Sequence, residues 1–177
     1  MKPVHAHFSG LARLLHWSMA VLIVAMLFVG VGMVATVSTL HDSLIALHRP
    51  LGIALLVLVI VRVVVRLTRG TPPLPRDIPG WQRTAAHASH LLLYALMIAM
   101  PLIGWAMLSA AGYPVVLAGA VHLPPIAPHS VTLYALLRAA HTWLALLLFA
   151  TVMMHLGAAL FHAWIRRDGV FSSMARG

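Results

Sequence analysis

Residues 134–164 read YALLRAAHTWLALLLFATVMMHLGAALFHAW, an apolar run that carries His141, His155 and His162. An α-helix turns about 100° per residue, so 14 residues return His155 to within about 40° of the face of His141, roughly 21 Å further along the axis. One helix is therefore predicted to offer two imidazoles to the same neighbouring helices at two depths.

The whole chain is too apolar for a soluble domain. Of its 177 residues, 62% are hydrophobic and 8% are charged, whereas soluble domains carry about 25% charged residues. A bilayer core takes about 20 helical residues to cross, and four apolar runs reach that length, at roughly 14–37, 46–67, 86–111 and 133–164. Because lipid offers no partners for backbone amides, each run is expected to be helical. The sequence predicts one all-α domain over residues 1–177, an integral membrane four-helix bundle.

The basic residues predict the orientation of the bundle. Ten of the twelve fall on one side of the predicted membrane: Lys2, Arg13, Arg62, Arg66, Arg69, Arg76, Arg83, Arg166, Arg167 and Arg176. Arg49 and Arg138 fall on the other. By the positive-inside rule, we expect a protein of the bacterial inner membrane with both termini in the cytoplasm (N-in/C-in). Membrane lipid is then one of its partners. The basic residues are not interleaved with aromatic residues, as they would be on a surface that binds nucleic acid, so no nucleic-acid partner is expected.

The composition also narrows the chemistry. There is no cysteine, which excludes iron–sulfur clusters, cysteine-bound zinc and covalent c-type haem. Only three residues are acidic, which argues against paired-carboxylate catalysis. Histidine, with twelve copies, is the abundant ligand.

Predicted depth divides the histidines into two groups. Near the outer leaflet, the predicted helices hold only His48 and His141, because His41, His122 and His129 fall in predicted loops. Near the inner leaflet, the predicted helices hold His16, His87, His90, His155 and His162. Haem needs only two axial imidazoles from facing helices, whereas zinc or copper needs three or four protein ligands. The pattern predicts two b-type haems, one per leaflet.

Several motifs together resemble the bacterial cytochrome b561 family over nearly the whole chain. They are Arg13-Leu-Leu-His16-Trp17, His48-Arg-Pro-Leu-Gly52, Arg62-x3-Arg66, Thr71-Pro72-Pro73, His87-x2-His90 and His141-x13-His155-x6-His162. The resemblance implies that His48 and His141 ligate the outer haem and that His16 and His155 ligate the inner one. Depth alone leaves His87 and His90 as competitors of His16.

The resemblance implies roles for further residues. Arg62 is a candidate partner of an inner-haem propionate, or else an arginine that reaches the interface. Arg138 is a candidate for the outer propionates or for attracting a small anion. For His87, His90 and His162 the resemblance implies a quinone site near the inner haem. The alternative for each of these residues is a hydrogen bond between helices.

The expected function is electron transfer between a periplasmic donor and the ubiquinone pool. Some members of the family oxidise superoxide, which would make the protein a superoxide:ubiquinone oxidoreductase. Two alternatives remain open. One is an electron-transfer subunit of a separate redox protein, docked through the uncharged segment 112–130 that is expected to cover the bundle mouth. The other is a haem-free, histidine-lined metal transporter.

Overall fold

Four long helices make up most of the computed structural model, which describes residues 7–73, 75, 78–117 and 121–176; Lys2 and Arg76 lie outside these ranges. In chain order the elements are α1 (Gly10–Ala35), α2 (Thr39–Arg69), α3 (Gly80–Ala110), β1 (Val115–Leu117), β2 (Val121–Leu123), α4 (Val131–Phe161), a π-helix (His162–Arg166) and α5 (Val170–Ala175). Within these described ranges, four helices are long and apolar enough to cross a membrane. The predicted all-α, four-helix membrane bundle is confirmed.

Serine side chains begin three of the four long helices. Ser9, Ser38 and Ser130 lie at the N-caps of α1, α2 and α4, and each hydroxyl accepts a hydrogen bond from a backbone N–H of the first turn. These bonds satisfy donors that the helix itself leaves unpaired. At the other end of α2, Gly70 has a φ of 74°, a left-handed conformation that glycine adopts without strain and that ends the helix.

The long helices pack in two close pairs, α1 with α2 and α3 with α4, and α2 also contacts α3. Val59 on α2 and Thr151 on α4 are the largest fully buried side chains among the described residues. The Thr151 hydroxyl donates to the carbonyl of Leu147 at 2.7 Å, so it brings no unpaired polar group inside. Many other large apolar side chains are exposed on the outside of the bundle, as expected of helices that face lipid tails.

The two chain ends meet at one end of the bundle, which we call the terminal end. The backbone N–H of Phe8 donates to the carbonyl of Ser173 at 3.2 Å, and Trp17 Nε1 donates to the carbonyl of Met174 at 3.2 Å. Helix α5 therefore folds back against the start of α1. The cytoplasmic position of this end stays a prediction.

The opposite end, which we call the hairpin end, carries the segment between α3 and α4. Strands β1 and β2 pair antiparallel with Val116 opposite His122. Trp105 Nε1 donates to the carbonyl of Pro124 at 3.0 Å, and the Ser109 hydroxyl accepts from Ile126 N–H at 3.1 Å. These bonds fix the uncharged segment to the last turns of α3.

The observed helices differ from the predicted runs at several ends. Helix α2 begins at Thr39, not near 46, so His41 is helical and not in a loop; its Nδ1 lies 2.9 Å from the Met33 carbonyl oxygen. Helix α3 begins at Gly80, not near 86. In both cases polar residues of the first turns lie outside the apolar window that defines a span. The β-hairpin was not predicted either.

We expect Gly32→Val to destabilise the bundle more than Gly30→Val. A Cβ at Gly32 would lie 3.0 Å from Leu44 Cδ1 of α2, whereas a Cβ at Gly30 would meet nothing within 4 Å. Valine at 32 must push Leu44 aside, at a cost of about 1–3 kcal/mol. Thermal unfolding in detergent, followed by circular dichroism, measures the difference. Equal midpoints for the two variants would contradict the close contact of α1 with α2.

Candidate functional site

Two histidines from different helices face each other at the hairpin end. His48 on α2 and His141 on α4 have ring centroids 6.1 Å apart at an interplanar angle of 66°. Within the described part of the chain, the Nδ1 atom of His48 is buried without a hydrogen-bond partner, whereas His141 interacts with the backbone of Met100 on α3. Leaving a buried polar atom unpaired costs about 1–3 kcal/mol. The two rings, which we call the hairpin-end pair, therefore have the character of a binding site more than of a helix–helix contact.

A glycine on α3 lies directly beside this pair. A Cβ at Gly104 would lie 3.4 Å from Cε1 of His141 and 3.7 Å from its Nδ1. A larger side chain there would extend into the space that the imidazole occupies. Gly104 thus lets the His141 ring lie against α3.

A second group of histidines lies nearer the terminal end. His16 on α1 and His155 on α4 have ring centroids 6.3 Å apart at 75°, and we call them the terminal-end pair. His90 on α3 lies on the other side of His155, with a centroid separation of 5.4 Å. All three rings are half-buried. Helix α4 therefore supplies one imidazole to each pair.

The separation of the rings can be compared with what axial ligation requires. A metal–nitrogen bond of about 2 Å and an imidazole radius of roughly 1.1 Å place two axial rings about 6.3 Å apart, centre to centre. Both pairs match this separation. The His90–His155 separation is shorter. The structure thus brings both His16 and His90 beside His155.

Arg62 connects three helices beside the terminal-end pair. Its Nε donates to the Tyr94 hydroxyl at 3.0 Å, and its Nη1 donates to the carbonyl of Ala12 at 3.2 Å. Its Nη2 lies 3.2 Å from Nδ1 of His16. Because a guanidinium has donors only, His16 Nδ1 accepts this bond and the proton of the neutral ring is on Nε2.

That tautomer has a consequence for any metal at His16. An imidazole that ligates through Nε2 carries its proton on Nδ1, which then donates to an oxygen acceptor. Arg62 offers no acceptor. Ligation by His16 through Nε2 therefore requires the Arg62 guanidinium to leave Nδ1.

Some of the other residues that the sequence predicted for a site do not lie at either histidine pair. The side chains of His87 and Arg138 are exposed. His162 lies at the start of the π-helix and bonds to Asp168 at 2.6 Å. Among the described residues, no group of three or more His, Cys, Asp or Glu side chains is arranged to hold a metal ion.

Two contributors were given no role by the sequence pattern. Tyr94 bonds to Arg62, and its ring also lies 5.6 Å from the guanidinium carbon of Arg66. Tyr94 follows His87 by seven residues, so the sequence put it on the same helix face as a histidine, and this spacing could have identified it. Asp168 is one of only three acidic residues in the chain, and its position six residues after His162 was the corresponding signal.

Known proteins resemble the chain over most of its length. A family profile described as prokaryotic cytochrome b561 matches residues 7–177. Cytochrome b561 homolog 2 of Escherichia coli K12 is 31% identical over 163 residues, which are 90% of this chain and 86% of the relative. Cytochrome b561 homolog 1 of the same organism is 31% identical over 127 residues, 72% of each chain. The probable superoxide oxidase CybB of Yersinia pestis is 31% identical over 128 residues, again 72% of each chain.

We expect Arg62→Ala to lower the stability of the bundle by about 2–4 kcal/mol, because hydrogen bonds from a charged, part-buried donor are lost to α1 and α3 together. Arg69→Ala is the matched control, since Arg69 is exposed in the last turn of the same helix and should change stability by no more than about 0.5 kcal/mol. Thermal unfolding in detergent compares the two. A similar loss in both variants would show that the Arg62 bonds contribute no specific stability.

Proposed function

Because the chain belongs to the prokaryotic cytochrome b561 family, we propose that it holds two b-type haems and passes electrons between a donor at the hairpin end and a quinone at the terminal end. Its family makes it a membrane b-type cytochrome of electron transfer. The observation that carries the two-haem proposal is the presence of two imidazole pairs, 6.1 and 6.3 Å between ring centres, on one shared helix.

Haem b supplies one-electron chemistry when bound. His48 and His141 would hold one group, and His16 and His155 the other. The chain contains no cysteine, and no described contact brings a carboxylate to either pair, which suits ligation by imidazoles. The spacing of His141 and His155 on α4 places the two sites about 21 Å apart along the helix.

Arg62 has a second role in this proposal. To let His16 ligate through Nε2, its guanidinium must move from His16 Nδ1, and the carboxylate of a haem propionate is a partner that guanidinium groups bind strongly. Arg62 and Arg66 both line a small cleft at the terminal end, together with Thr71 and Tyr94. The guanidinium of Arg62 can therefore move into this cleft from its present position. Arg138, exposed near the hairpin-end pair, is the proposed counterpart at that end.

The electron acceptor in this proposal is ubiquinone, bound on the cytoplasmic side of a bacterial inner membrane. The family resemblance suggests His87, His90 and His162 for this site. His90 lies beside His155, and His162 follows His155 on the same helix face, seven residues later. Both therefore lie at or beyond the terminal-end pair, where a quinone would receive electrons. Exposed His87 is the weakest of the three candidates.

Superoxide is the donor that we propose for the hairpin end, which would face the periplasm. One relative carries the name probable superoxide oxidase, and Arg49 and Arg138 place two cations near this end to attract an anion. The overall reaction balances as two superoxide anions, one quinone and two protons giving two dioxygen molecules and one quinol. The rival, a subunit that takes electrons from a docked redox protein, would use the β-hairpin surface instead.

The ligand assignment predicts which substitutions remove which haem. His141→Ala and His16→Ala should each lower the haem content of the purified protein from two per chain to one, because one axial ligand is lost. His90→Ala should keep both haems. Pyridine haemochrome analysis and reduced-minus-oxidised spectra measure the content. Two haems in His141→Ala, or loss of one in His90→Ala with retention in His16→Ala, would overturn the assignment.

A control for these variants is His122→Ala, which removes an exposed histidine of β2 at the hairpin end. It should leave the haem content unchanged. A colourless wild-type protein, purified after expression with ample haem, would refute the cytochrome proposal and favour a transporter.

The donor proposal predicts rapid reduction of the oxidised protein by superoxide in stopped-flow measurements. The rate should fall as ionic strength rises, and it should fall when Arg49 and Arg138 are both changed to glutamine, because both changes weaken attraction of the anion. Arg69→Gln, at the opposite end, is the control and should not alter the rate. Reduction no faster than the background reaction would exclude superoxide and leave a protein donor.

A further inference from the structure

The small cleft at the terminal end lies where α1, α2 and α3 come together, and we call it the three-helix cleft. Ala12 of α1, Arg62 and Arg66 of α2, Tyr94 of α3 and Thr71 of the loop after α2 line it. Arg66 and Thr71 belong to two sequence motifs to which no ligand has been assigned. The fold thus brings these two motifs together around one opening.

The polar side chains of the three-helix cleft have hydrogens to donate. The Tyr94 hydroxyl accepts from Arg62 Nε at 3.0 Å, so its own hydrogen is free for another partner. The Arg66 guanidinium carbon lies 5.6 Å from the centre of the Tyr94 ring, and a contact with the ring face uses none of the guanidinium N–H groups. The Thr71 hydroxyl is on an exposed residue. Within the described part of the chain, no acceptor takes a hydrogen from these three groups.

The three-helix cleft also carries an excess of positive charge. Arg62 and Arg66 both contribute a guanidinium group to its lining. Of the three acidic residues in the chain, Asp42 lies in the first turn of α2 near the hairpin end, Asp168 bonds to a histidine after α4, and Asp77 lies outside the described ranges. No described carboxylate therefore neutralises the two cations. Hydrogen-bond donors with uncompensated positive charge favour an anion as their ligand.

The depth of the three-helix cleft matches that of a phospholipid headgroup. Arg66 is three residues before the end of α2 at Arg69, which is about 5 Å along the helix axis. Leu67 and Leu11, the chain neighbours of Arg66 and Ala12, are 74% and 41% exposed. Apolar surface that can meet acyl chains thus adjoins the cationic donors. Basic pockets between helices near the membrane surface are typical binding sites for anionic headgroups.

We propose that the three-helix cleft binds the phosphate of an anionic phospholipid from the leaflet at the terminal end. The Arg66 guanidinium and the hydroxyls of Tyr94 and Thr71 donate to the phosphate oxygens. Arg62 contributes its positive charge, whether its guanidinium bonds to His16 or to another acceptor. The inference goes beyond the proposed function and does not depend on it, because none of the three donors belongs to a histidine pair. A lipid bound in this way joins α2, α3 and the loop after α2.

Arg66→Gln tests the three-helix cleft. The purified protein is titrated in detergent with phosphatidylglycerol and, separately, with phosphatidylcholine, and bound lipid is counted by native mass spectrometry. We expect the wild type to bind phosphatidylglycerol about tenfold more tightly, because choline places a positive charge beside its phosphate. Arg66→Gln should weaken phosphatidylglycerol binding about tenfold, because a hydrogen bond between charged groups is lost. Equal affinity of the wild type for both lipids, or unchanged binding in Arg66→Gln, would overturn the proposal.

Matched variants separate a specific site from general attraction by the basic surface. Arg69→Gln removes the same charge from an exposed residue outside the cleft and should keep the wild-type affinity. Thr71→Val keeps the shape of an exposed loop residue and should weaken binding about fivefold through loss of one donor. Its control is Thr68→Val, because the Thr68 hydroxyl donates to the carbonyl of Val64 in its own helix. Equal losses within both pairs of variants would overturn the site, even if Arg66→Gln folds poorly.

Two further measurements distinguish the lipid from other anions. Inorganic phosphate is added to the wild type with phosphatidylglycerol bound; displacement of the lipid at equal concentration would assign the cleft to free phosphate and overturn the lipid, whereas retention supports it. Haem content is measured on the same samples. Loss of haem in Arg66→Gln with lipid binding retained would assign Arg66 to a haem propionate and overturn the proposal. A wild type that binds the lipid but no haem would overturn only the proposed function.

Discussion

The structure depends on the need to partner imidazoles inside a bilayer. Hydrocarbon supplies no hydrogen bonds, so each ring on α4 must find its partner in a neighbouring helix or in a bound group. His141 meets α2 at one depth, and His155 meets α1 and α3 at another. Few other side chains are fully buried. The arrangement of the helices thus brings these rings together.

Sequence alone predicted the spans and the pairing of His48 with His141. Both inferences use local quantities, since apolar length and the helical repeat need no knowledge of distant contacts. Depth left no other histidine in a predicted helix near the outer leaflet, although the structure puts His41 in the first turn of α2. At the inner level it left several, and the structure brings two of them, His16 and His90, beside His155, which no sequence pattern could show because it depends on how α1 and α3 lie against α4.

Other features were beyond the reach of a sequence pattern. The bonds from Arg62 to His16 and Tyr94 join residues far apart in the chain, on three different helices. The contact of Asp168 with His162 needs a left-handed residue and a π-helix, neither of which has a periodic signature. The early start of α2 depends on the Ser38 cap, whereas the polar residues after it suggested a loop.

The connectivity of the bundle has a consequence for the order in which it is made. Each close helix pair, α1 with α2 and α3 with α4, joins segments that leave the ribosome one after the other and can associate early. Both histidine pairs, in contrast, join the first half of the chain to α4, and Phe8 meets Ser173 across almost the full length. Whatever these histidines hold can be captured only after α4 has entered the membrane, and it then ties the two halves together.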